Sequence, residues 1–139
     1  MIAIDSSVLI DLIGGDARAS VAEDCLRRAL SQGPVVACEV VIAEVVAGLG
    51  QSATVMDALD EAGIAFSPLE YRAAARAGEM QRRYKQRRGT AAAMPGSRTV
   101  PDFLIGAHAL LQCSGLITRD EGFFRDYFKG LKVIVPKAA

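Results

Sequence analysis

Two aspartates in this 139-residue chain close short apolar runs: Asp5 ends "MIAID" and Asp120 ends "LITRD". A third, Asp102, lies three residues after Thr99, near the start of "VPDFLIGAHALLQC". The fourth acid, Glu44, sits inside the apolar stretch "EVVIAEVVAGL". Carboxylates gathered in one place repel one another, so a site built from all of these needs a cation to offset them. The hard ions Mg²⁺ and Mn²⁺ suit an all-oxygen donor set, with water or substrate phosphate filling the remaining positions. The matching chemistry is metal-assisted hydrolysis of a phosphodiester. There the ion lowers the pKa of the attacking water and neutralises charge building on the phosphate.

Taken singly, three of the acids have simpler roles. Asp5 and Asp120 can each cap the helix that follows. Asp102, at the third position after Thr99, fits a capping-box variant and favours the helix dipole. Glu44 resists that reading. Its neighbours one turn away are Val40, Val41, Ala47 and Gly48. On such a face a carboxylate must be protonated, paired or metal-bound, because a lone buried charge is too costly. An arginine partner is the structural alternative to a metal site shared with the other acids.

The elements that must position these residues alternate between strand and helix. Strands are predicted at Met1–Ile4, "PVVAC", "IAF", "GLIT" and "LKVIV". Between them run helical patterns: a turn or two of "SSVLIDLI" ending at Gly14-Gly15, then a helix capped by Asp16 with Val21, Ala22, Cys25, Leu26, Ala29 and Leu30 on one face. Further helices are expected from Glu39 to about Leu49, from a Ser52 cap to Gly63, and from Leu69 to about Arg88. "GTAAAMPGSRTV" reads as a loop, Thr99 opens another helix, and "DEGFFRDYF" forms a short one. The pattern predicts a single α/β domain over 1–139, with a mostly parallel central sheet flanked by helices on both faces. Right-handed crossovers then bring the strand C-termini, and the acids behind them, to one edge.

Composition narrows the function classes. The formal net charge is zero, so no global charge favours nucleic acid. No run reaches the ~18 apolar residues of a membrane span, and the N-terminus lacks the pattern of a secretory signal. A soluble, cytoplasmic protein without membrane contact is expected. Cys25, Cys38 and Cys113 form no C-x-x-C pair, and His108 is the sole histidine, which argues against a zinc site and for reduced, buried thiols.

"IAIDSSVLIDLI", the isolated Glu44, "VPDFLIGAHAL" and "LITRDEGFF", in that order, resemble the PIN-domain ribonucleases. The size of the chain and the closing "FKGLKVIVP" are similar to the VapC-type toxins of toxin–antitoxin pairs. The resemblance implies a three-layer PIN-like sandwich and an Mg²⁺- or Mn²⁺-dependent endoribonuclease. It places the metal-binding and catalytic acids on Asp5, Glu44, Asp102 and Asp120, with Glu121 or Asp126 able to share the last role. Ser7 and Thr118 match the polar positions that orient carboxylates or water around the metal. It also implies an RNA substrate, a small cognate antitoxin and a homodimer.

One interval is basic. Between Glu79 and Asp102 there is no acid, and Arg82, Arg83, Lys85, Arg87, Arg88 and Arg98 lie within it. A solvated helix end, helped by a Glu79–Arg83 pair, accounts well for Arg82 and Arg83. Arg87, Arg88 and Arg98 flank the loop before Asp102 and are read as RNA contacts on phosphates, or as a seat for an acidic antitoxin tail. His108 is expected to be packed or on the surface, off the acidic face. Phe123, Phe124, Tyr127 and Phe128 are expected in the core. Two other classes remain open: a non-catalytic PIN-like module acting through its partner, and a receiver-like phosphoacceptor. The latter needs an acidic pair near Asp5, where Ser6 and Ser7 stand instead.

Overall fold

In the computed structural model, residues 1–89 and 98–137 are described; most of the loop expected before Thr99 lies outside them. The strands are β1 (Ile2–Ile4), β2 (Val35–Ala37), β3 (Ile64–Phe66), β4 (Leu116–Ile117) and β5 (Val133–Ile134). They form a single sheet in the order β3-β2-β1-β4-β5, and every pairing is parallel. β1 is central, with Ile2 opposite Val35 on one side and Ile4 opposite Ile117 on the other. Every residue of β1, β2 and β4 is buried. That is the signature of parallel strands covered on both faces, and it explains why they read as unbroken apolar runs.

The helices are α1 (Ser6–Gly14), α2 (Ala19–Leu30), α3 (Glu39–Leu49), α4 (Ser52–Glu61), α5 (Tyr71–Arg88), α6 (Val100–Gln112) and α7 (Glu121–Tyr127). Right-handed crossovers put α1 to α4 over one face of the sheet and α5 to α7 over the other. Contacts of α1 with α2 and α3, and of α5 with α6, agree with that layering. Gly15 closes α1 in the left-handed region, at φ 69°. Two expected caps move. Asp16 accepts the Arg18 N–H at 2.8 Å in a tight turn, so α2 begins at Ala19. Ser52 is the first residue of α4, whose cap is Gln51.

The α5–α7 layer is aromatic. Phe103 of α6 meets Tyr84, Phe123, Tyr127 and Phe128, with ring centroids 5.3 to 6.2 Å apart. Phe103, Phe124 and Phe128 are at most 2% exposed, and burying each contributes roughly 1.5–3 kcal/mol. Gly106 makes this packing possible, because a Cβ there would sit 2.3 Å from the Phe128 ring. His108 is packed, as one of its two expected settings: it is 1% exposed, and its Nε2 lies 3.0 Å from Ser67 Oγ. All three cysteines are free, and burial pushes the Cys113 thiol up to about 11. Among the described residues no helix is long and apolar enough to cross a membrane.

Candidate active site

The chain runs from β1 outward to β2 and β3, then returns to the other side of β1 as β4. The strand order therefore reverses between β1 and β4, and the crevice at the strand C-termini there is where open α/β sheets bind ligands. Asp5 leaves β1 and Thr118 leaves β4 at this point. The Asp5 N–H bonds to the Ile117 carbonyl at 2.9 Å, holding the two strand ends in register.

Asp5 is 7% exposed and well bonded. Its Oδ1 accepts the Ser6 N–H at 2.7 Å, so it does cap α1. Its Oδ2 accepts Thr118 Oγ1 at 2.6 Å and Ser7 Oγ at 3.2 Å. Burial pushes the Asp5 carboxyl up, and hydrogen bonds from Thr118, Ser6 and Ser7 pull it back. Ser7 and Thr118 thus orient the carboxylate.

Glu44 comes to the same edge from α3. It is half-buried, and its Oε1 accepts Ser6 Oγ at 2.9 Å. Among the described residues no arginine pairs with it, so the ion-pair alternative does not hold. Its carboxyl is raised first by burial, then by the charges of Asp5 and Asp102, with the Ser6 bond opposing. Those charge effects place Asp102 in the same electrostatic field. Asp102 also caps: its Oδ2 accepts the Thr99 N–H at 3.1 Å in a reciprocal capping box.

Asp120 is linked to the cluster through its backbone. Its N–H donates to Thr118 Oγ1 at 3.0 Å, and that hydroxyl donates onward to Asp5. Its side chain does not cap α7. Instead it forms an ion pair with Arg98, whose guanidinium lies 4.5 Å from the Phe123 ring centroid. Tyr84 Oη accepts the Arg98 N–H at 2.8 Å and fixes that segment. Arg98 thus reaches the acidic edge by pairing with an acid. Arg87 and Arg88 lie over the rings of Tyr127 and Tyr84, at 5.4 and 5.5 Å. The expected Glu79–Arg83 pair is not among the ion pairs of the described residues. Glu121 is exposed, and Asp126 lies at the far end of α7 beside Arg125.

The donor set fits a hard divalent cation. Asp5, Glu44 and Asp102 are oxygen donors that repel one another in partly desolvated surroundings, and Ser6, Ser7 and Thr118 hold two of them in place. Among the described residues no three acids already stand together as a ligand shell.

Three contributors escaped sequence reading. Ser6 was passed over in favour of Ser7, although it bridges Asp5 and Glu44. Tyr84, on one face of α5, receives the Arg98 N–H and so positions that arginine. Asp11 of α1, with its side chain 5% exposed, pairs with Arg119 at 2.8 Å. This pins the segment between Thr118 and Asp120 to α1. Asp11 stands in "VLIDLI", an apolar setting that calls for a partner as much as that of Glu44 does.

The family model for the PIN domain matches residues 2–129. The chain belongs to the PIN-domain family. No curated protein matches it. Among solved structures, the VapBC2 complex of Rickettsia felis bound to a promoter DNA fragment superposes with a TM-score of 0.71 at 16% identity, over 97% of this chain and 98% of that one. A toxin–antitoxin complex from Klebsiella pneumoniae matches at 0.66 and 21% identity, over 100% of both chains. VapC20 of Mycobacterium tuberculosis, a sarcin-ricin loop cleaving toxin, matches at 0.61 and 19%, over 95% of this chain and 99% of that one. These likenesses agree with the three-layer PIN-like sandwich. The receiver-like alternative falls here, since its strand order is 2-1-3-4-5 and this sheet runs 3-2-1-4-5.

Proposed function

We propose that this chain is a metal-dependent endoribonuclease, the toxin of a toxin–antitoxin pair, working in the cytoplasm as a homodimer held in check by a small antitoxin. One observation supports the catalytic reading: Ser6 bonds both Asp5 and Glu44, and Thr118 ties Asp5 to the Asp120 backbone at the β1/β4 switch point. Asp5 follows β1, Glu44 comes from α3, Asp102 from α6 and Asp120 from the end of β4. Fold likeness to toxin–antitoxin complexes supports the partner and the toxin role.

Asp5, Glu44, Asp102 and Asp120 are the residues that would hold Mg²⁺ or Mn²⁺. When bound, the ion supplies an acidified water and charge neutralisation at the phosphate. The chain's own part is orientation. Ser6 ties Glu44 to Asp5, Thr118 ties Asp5 to the Asp120 backbone, and Ser7 holds the second oxygen of Asp5. Arg98, paired with Asp120, and Arg87 and Arg88, over Tyr127 and Tyr84, would be the donors for the RNA phosphates.

A second reading has its own support. Arg98 already neutralises Asp120, and no ready ligand shell exists among the described residues. A PIN-like module without catalysis, acting through its antitoxin, is consistent with both. The test is calorimetric titration of the purified chain with Mn²⁺, followed by incubation with RNA in Mn²⁺, Mg²⁺ or EDTA. Saturable binding with cleavage only in metal supports the nuclease. Metal binding absent together with cleavage supports the module.

A further inference from the structure

A cavity of about 250 Å³ opens between α5, α6 and α7, away from the acids. Its wall carries Arg76, Arg83 and Arg87, which recur on one face of α5, and Lys129 beyond the end of α7. Asp126 is the one acid among the lining residues, and it lies 3.4 Å from Arg125. Among the described residues the four cations make no ion pair. Like charges held around one small cavity repel each other, and an anion relieves that repulsion. The cavity is also lined by Met80 and by Tyr127 and Phe128, so it pairs cationic walls with apolar and aromatic surface.

The cavity is joined to the acidic edge. Asp120 immediately precedes α7 and Tyr127 ends it, about 10 Å along the helix at 1.5 Å per residue. Between them lie Arg98 against Phe123 and Arg87 against Tyr127. Phe123 and Phe128 are buried and Tyr127 lies under Arg87, so what this track offers a single strand is a run of cations for its phosphates.

We infer that this cavity is a phosphate-binding subsite that holds single-stranded RNA at a distance from the cleavage position. The inference rests on the ribonuclease reading and adds Arg76, Arg83 and Lys129 to it. All three side chains are exposed, so replacing them leaves the core intact.

The test combines Arg76→Gln, Arg83→Gln and Lys129→Gln in one chain. Binding of a labelled single-stranded RNA is followed by anisotropy with Mg²⁺ at several salt concentrations, in an Asp5→Asn background that prevents cleavage. Cutting is measured with Asp5 intact, on a long RNA and on one too short to reach the cavity. The expected result is affinity lowered roughly tenfold or more and a salt slope smaller by about 2, near 0.7 per lost contact. Cutting of the long RNA slows, and cutting of the short one is unchanged. Unchanged affinity and slope in a variant whose parent binds RNA overturn the subsite alone. Retained RNA affinity with lost binding of a polyglutamate peptide assigns the cavity to a protein partner and overturns it too. A parent chain that neither binds nor cuts RNA removes the ribonuclease reading itself, and the subsite with it.

Discussion

Thr118 Oγ1 donates a 2.6 Å hydrogen bond to Asp5 Oδ2, joining the C-terminal ends of two neighbouring strands 113 residues apart. The same hydroxyl accepts the Asp120 N–H at 3.0 Å. One side chain, wholly buried, thereby fixes a carboxylate and the loop that carries another.

Removing that hydroxyl leaves a nearly buried carboxylate short of its strongest partner. Thr118→Val should cost about 1–3 kcal/mol of stability, and Thr118→Ser should recover most of it. Urea denaturation of the three chains in EDTA measures the effect. Equal midpoints for Thr118→Val and the parent would show that the bond contributes nothing.

Glu44 stands at the opposite balance of stability and activity. It is raised by burial and by its acidic neighbours, and its Ser6 bond survives an amide oxygen. Glu44→Gln should melt at or above the parent temperature without metal. Its cleavage rate should fall by at least the 10–100-fold typical of groups that merely support a metal. A lower melting temperature with unchanged cleavage would assign Glu44 to structure.

The Asp11–Arg119 pair tests how firmly the β4–α7 segment must be held. Arg119→Met leaves Asp11 charged and enclosed. Fully buried pairs cost about 3–5 kcal/mol when broken; Arg119 is 39% exposed, so a smaller loss is expected. Adding Asp11→Leu should restore stability while cleavage stays below the parent, because the segment is no longer tied. Guanidinium melts and cleavage rates of the single and double variants separate the two effects.

His108 gives a pH signature remote from the acids. Burial lowers its pKa in the folded chain, so the unfolded chain binds more protons. Its contribution is therefore complete above the unfolded value near 6.5 and is lost as pH falls below it. Between pH 7.5 and 5 the parent should lose more stability than His108→Gln, whose curve should be flatter. Parallel curves in thermal melts would contradict this.

The sequence exposed the site where burial left a mark on residue type. β1 and β4 are enclosed on both faces, so their apolar runs and the aspartate after each were visible. Glu44 was visible because its neighbours one turn away are all apolar or small, although the fold leaves it half-buried. What depends on a distant residue was hidden. Arg98 meets Asp120 only because the chain folds back across Phe123 and Tyr84, and no local pattern encodes that. The strands are also shorter than the sequence suggested: β4 and β5 pair over two residues each, within the longer segments "GLIT" and "LKVIV". That Asp5 and Asp120 leave neighbouring strands on the same edge followed from topology, since a parallel sheet places its strand ends together. Asp11 was the one avoidable omission, as its setting carried the same signal as that of Glu44.

The central claim, that these acids form one metal-dependent nuclease centre, is tested most directly by cleavage of total RNA by the antitoxin-free chain. Reactions run in Mg²⁺, Mn²⁺ and EDTA, with Asp5→Asn and Asp102→Asn alongside. Discrete cuts that require metal and disappear in both variants are expected. Absence of cleavage, or cleavage that survives both substitutions, would contradict the claim and leave Asp5 and Asp102 as helix caps alone.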